Sequence, residues 1–84
     1  SRATFLAKPP FPGAARGPRL GGVVVVKVTI DENGKVVEAE STCGFSVFAE
    51  GSVRAARMST FTPTIIDGVP VKITGVIVYN FSIN

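Results

Sequence analysis

The chain has 84 residues, 45% hydrophobic and 8% aromatic, with nine Lys/Arg, six Asp/Glu, one cysteine and no histidine. That length holds one domain, 1–84, with a small core. A lone cysteine excludes an intramolecular disulfide, and the absence of histidine removes the commonest general base and metal ligand.

The positive charge is concentrated at the start. Residues 1–20 carry Arg2, Lys8, Arg16 and Arg19 and no acid, whereas the remainder is close to neutral. Residues 1–21 read as a basic, Pro/Gly-rich lead-in and 22–84 as a β-β-α-β core. Lys8-Pro9-Pro10-Phe11-Pro12 suits an extended, polyproline-like run. Ala14-Ala15-Arg16 suits a short helical turn ended by Gly17-Pro18. No stretch of 18 apolar residues reads as a membrane span, and no signal-peptide pattern is present. The abrupt opening reads as a piece of a longer protein, with any anchor lying upstream.

Gly22–Ile30 holds five valines and an isoleucine, a strand whose inward face is Val24, Val26, Val28 and Ile30. Asp31-Glu32-Asn33-Gly34 follows as a hairpin loop, with Gly34 free to take positive φ. The next strand is Lys35–Thr42. A four-residue loop would pair Ile30 with Lys35, Val28 with Val37 and Val26 with Ala39, and set Lys27 against Glu38. A three-residue loop would turn Glu38 and Glu40 onto the buried face, a costly arrangement. The four-residue loop is therefore expected.

Gly44 breaks the strand, and residues 46–60 suit a helix with Ser46 near its start. Its apolar stripe is Phe45, Phe48, Ala49, Val53 and Ala56. Glu50 and Arg54 form an i, i+4 pair on the other side. Gly51 inside this helix costs roughly 1 kcal/mol relative to alanine. Ile65-Ile66-Asp67-Gly68 reads as a turn. A long strand then runs from about Val71 to Ile83, with Ile73, Ile77, Tyr79 and Phe81 alternating against Thr74, Val76, Val78, Asn80 and Ser82.

The expected fold is α+β: a three-stranded mixed sheet of order 2-1-3 with one main helix on one face and a split βαβ connection. Both outer strands would have a free edge. No catalytic constellation emerges, so the chain is not expected to be an enzyme or to need a cofactor. Glu38 and Glu40 are expected as solvated surface charges, and Cys43 as a small apolar residue at a strand end. Asp31–Gly34 lacks the length and later glutamate of a calcium loop.

Taken in order, Lys8-Pro9-Pro10-Phe11-Pro12, the valine strand, Asp31-Glu32-Asn33-Gly34, Ala55-Ala56-Arg57, Phe61-Thr62-Pro63, Asp67-Gly68-Val69-Pro70-Val71 and Gly75–Phe81 resemble the TonB C-terminal domain family. The resemblance spans about residues 8–83. It implies a periplasmic domain of an inner-membrane-anchored energy transducer in a Gram-negative bacterium. Its implied partners are ExbB and ExbD upstream and TonB-dependent outer-membrane receptors, whose short TonB-box peptide binds by strand addition. The implied contacts are Lys8, Pro9, Pro10, Phe11 and Pro12, where Lys8 replaces a polar amide and Phe11 a tyrosine. The last strand supplies Val76, Val78, Asn80 and Ser82. Ser59 stands where many relatives carry tryptophan. Phe11 has two open roles, a staple onto the domain or a partner contact.

The alternative is a structural or sensory envelope module, including a homodimerisation unit. A polyanion-binding role for Arg2, Lys8, Arg16 and Arg19 is disfavoured because no basic patch interleaves with aromatics. Neither nucleic acid nor a small-molecule substrate is an expected partner.

Overall fold

The structure, a computed structural model, describes residues 2–11, 21–44 and 46–81. Strands β1 (Ala3–Phe5), β2 (Gly22–Ile30) and β3 (Val36–Cys43) precede helix α1 (Ser46–Met58). Strands β4 (Thr60–Phe61), β5 (Thr64–Ile66), β6 (Val69–Val71) and β7 (Ile73–Phe81) follow. The main sheet has the order β3-β2-β7, with both outer strands antiparallel to β2 and so parallel to each other, as expected. The expected helical turn at 14–16 lies outside the described residues.

The central strand β2 is the core of the core. Val24, Val26, Val28 and Ile30 are buried on one face, under Phe48, Ala55 and Ala56 of α1. The helix lies mostly over β3 and β2 and touches β7 little. Its buried side is Phe48, Ser52, Ala55 and Ala56, with Val47 and Val53 packed beside them. The buried Ser52 satisfies its hydroxyl by donating to the Phe48 carbonyl at 2.8 Å.

The hairpin register corrects the expectation. Asp31 N–H donates to the Lys35 carbonyl at 2.8 Å, so the loop proper is three residues long. Asp31 Oδ1 locks that loop by accepting from the N–H groups of Asn33 and Lys35, each at 2.9 Å. The ladder then runs Ile30↔Val36, Thr29↔Glu38, Val28↔Ala39 and Lys27↔Glu40. Val37 has no partner: it is the extra residue of a β-bulge, and it points to solvent. The bulge restores the parity that a three-residue loop would have spoiled, so Glu38 and Glu40 stay outside and Ala39 stays inside. Burial dictated the parity, not the register.

Residues 2–11 of the lead-in take part in the fold more than their composition suggests. β1 pairs with β4, and β4 in turn meets the hairpin loop, where Thr60 bridges Lys35 and Phe61 N–H donates to the Gly34 carbonyl at 2.8 Å. Gly34 has φ 84°, and a Cβ there would sit 1.8 Å from the Phe61 carbonyl oxygen. Only glycine permits that approach.

A second correction concerns residues 64–71. Ile65 and Ile66 lie in β5, not in a turn; β5 and β6 form a separate hairpin whose turn is Asp67-Gly68, both with positive φ. Lys72 interrupts the single long strand expected from Val71, and β7 is described to Phe81.

Candidate functional site

Alternation along β7 divides its side chains cleanly. Ile77, Tyr79 and Phe81 are buried. Val76 and Val78 stand on the opposite, uncovered face, 64% and 53% exposed, beside an exposed Asn80. Val78 lies across from Val25, and Asn80 from the exposed Val23, which extends an apolar strip over that face. Among the described residues β7 pairs with β2 alone, so its other margin presents main-chain N–H and C=O groups.

Because α1 sits over β3 and β2, something else must cover the inner face of β7. Residues 7–11 of the lead-in do so, forming an arm beside the helix. Phe48 stacks on Phe81 with centroids 4.2 Å apart, and Phe11 meets both edge-on, at 5.7 and 6.2 Å. Such aromatic pairs add about 0.5–1.5 kcal/mol each beyond simple burial. Of the two roles open to Phe11, its ring takes the staple. Lys8 and Pro10 remain exposed and Pro9 is half-buried.

Ala7 fixes the arm at its other end. Its N–H donates to Ser59 Oγ at 3.1 Å, and its carbonyl accepts from the Tyr79 hydroxyl at 3.0 Å. Ser59 Oγ donates in turn to the Ala55 carbonyl at 3.1 Å. Both polar groups of a buried alanine are thus satisfied by side chains, one from the helix exit and one from β7. Burial pushes the Tyr79 phenol above its ordinary pKa of 10.0, and the hydrogen bond with Ser59 partly opposes the rise. Sequence reasoning missed this clamp. Its only legible signal was a serine after the helix, where a small polar residue leaves room for the arm.

Of the expected contact residues, Lys8, Pro9, Pro10 and Phe11 form the arm on the inner side of β7, and Val76, Val78 and Asn80 project from its outer side. The two groups therefore share one strand but occupy opposite faces of the sheet. Pro12 and Ser82 lie outside the described residues. At the other margin, Glu38 and Glu40 are exposed, Lys27 stands across from Glu40, and Cys43 is exposed at the end of β3 rather than packed.

The sequence matches the profile of the Gram-negative bacterial TonB protein C-terminal family over residues 7–83. The chain belongs to that family. The match takes in the arm from Ala7 onward, the clamp and all of β7. The fold is similar to the solution NMR structure of the Pseudomonas aeruginosa TonB CTD, with a TM-score of 0.69 and 24% sequence identity, covering 98% of this chain and 85% of that one. No curated protein matches the sequence. TonB C-terminal domains are transport-coupling domains. Among the described residues no group of three or more His, Cys, Asp or Glu is placed to hold a metal ion, and no helix is long and apolar enough to cross a membrane.

Proposed function

We propose that this chain is the periplasmic docking domain of a TonB-type energy transducer, which takes up the TonB-box peptide of an outer-membrane receptor as an added strand along β7. The observation that supports this most is the uncovered β7 margin flanked by exposed Val76, Val78 and Asn80. Main-chain pairing gives affinity with little demand on sequence, about 0.5–1.5 kcal/mol net per bond, and alternate side chains add selectivity. Ser82, next in the alternation of the sequence, is included in the proposed contact set. The arm residues 8–11 are the second contact in this proposal, with Pro12 following them in the sequence. An inner-membrane anchor and the motor partners ExbB and ExbD belong upstream of this domain in the proposal. The role is binding and load transfer, not catalysis.

A distinctive test uses the peptide rather than the domain. In an added antiparallel or parallel strand, alternate residues direct their N–H groups toward the host edge. A proline scan along a receptor's periplasmic N-terminal peptide should therefore weaken binding with a period of two. A peptide that binds with equal tolerance of proline at successive positions would refute strand addition.

A further inference from the structure

Between the arm and α1 lies a cleft of about 140 Å³. Lys8, Pro9 and Pro10 form one wall, and Gly51, Arg54, Ala55 and Met58 the other. Resting on the docking reading above, we infer that this cleft is a second subsite for the receptor peptide, holding one aliphatic side chain next to a carboxylate.

Shape, lining and charge converge on that occupant. The floor is apolar: Ala55 is buried, Gly51 and Pro9 are half-buried, and the Met58 side chain stands exposed at one end. An unbranched thioether adapts its shape to whatever enters. The volume suits one aliphatic side chain and no larger group. The rim carries Lys8 and Arg54, and the acid bonded there is Glu50, 2.7 Å from Arg54. Two cations and one carboxylate leave one positive charge, which a single carboxylate matches. The Glu50–Arg54 pair is largely solvent-exposed, so it holds the guanidinium weakly and leaves it able to share a second anion.

Gly51 gives the sharpest clue. A glycine in a helix interior is unfavourable, and packing does not require it here: an added Cβ would make only ordinary contact, 3.8 Å from Pro9 Cβ. The missing side chain instead keeps the cleft floor deep. The arm wall is itself bonded to Tyr79 of β7 through Ala7, so the subsite is held in fixed relation to the strand that takes the rest of the peptide.

The experiment measures melting and peptide binding together. Wild type, Gly51→Ala and Arg54→Gln are titrated with a labelled receptor N-terminal peptide containing an Asp-Leu pair, and with its Asn-Leu counterpart. Gly51→Ala should raise Tm yet weaken the Asp-Leu peptide at least fivefold, opposite signs that a purely structural glycine would not give. Replacing Asp by Asn should cost wild type severalfold and Arg54→Gln much less. If Gly51→Ala raises Tm with affinity unchanged while wild type still binds, the subsite is wrong and strand docking stands. If wild type binds no receptor peptide at all, the docking reading falls and takes the subsite with it.

Discussion

The two margins of the sheet are built oppositely. The β3 margin is defended: Glu38 and Glu40 project from it, a bulge at Val37 bends it, and Thr60 and Phe61 close on its start at Lys35 and Gly34. Charges, bulges and covering segments are the usual means of keeping an edge from pairing with another chain. Among the described residues the β7 margin has none of these. Its exposed side chains are Thr74, Val76, Val78 and Asn80, all uncharged, on a regular nine-residue strand. An edge left regular, long and uncharged is a hazard unless pairing is its purpose, and here the contrast lies within one sheet.

The most drastic way to break the contrast is to open the defended side. Gly34→Ala drives a Cβ into the Phe61 carbonyl from a backbone conformation that suits glycine. It should cost about 2–4 kcal/mol by urea denaturation and free β4 and β1 from the hairpin. Next in size is an exchange of character between margins. Val78→Glu should leave stability within about 0.5 kcal/mol, as expected for an exposed site, but weaken receptor-peptide binding at least tenfold, about 1.4 kcal/mol. Conversely, Glu38→Val with Glu40→Val should produce concentration-dependent association in sedimentation, because the β3 margin would lose its charges.

Smaller effects sharpen the account of what lies under β7. Tyr79→Phe deletes the hydroxyl that holds the Ala7 carbonyl and should cost about 1 kcal/mol. It also changes the alkaline limb of stability. Tyr79 is raised in the folded state, so its contribution is whole below pH 10.0, the unfolded value, and is lost as pH climbs through the folded value. Wild type should weaken over that window and the phenylalanine variant less so. The smallest effect belongs to Glu50→Ala, which removes an exposed helical ion pair worth about 0.3–0.5 kcal/mol.

The architecture was legible because alternation in β2 and β7 and the 3–4 spacing in α1 are strong signals. The faces of the β7 residues follow from them, whereas the sheet order rested on placing β7 beside β2 across the helical crossover. Val37 was not legible: a bulge and a change of loop length give the same inside–outside pattern as a simpler hairpin, so parity could be read and register could not. Ser59 and Tyr79 illustrate a second limit. Tyr79 shows its burial in the alternation of β7 and Ser59 does not, and their joint grip on Ala7 depends on three segments far apart in the chain. The β1–β4 contact was hidden for the same reason, since three residues carry too little pattern to announce a strand. Within the candidate site, the outward β7 residues could be read directly, whereas the cleft beneath Lys8–Pro10 needed the arm's path across α1.

The most direct test of the asymmetry is amide hydrogen exchange by NMR, with and without a saturating receptor peptide, read at both margins in one experiment. New protection at alternate amides within residues 74–81, with residues 36–43 unchanged, is the predicted result. Protection gained along β3, or at neither strand while the peptide is bound, would contradict it.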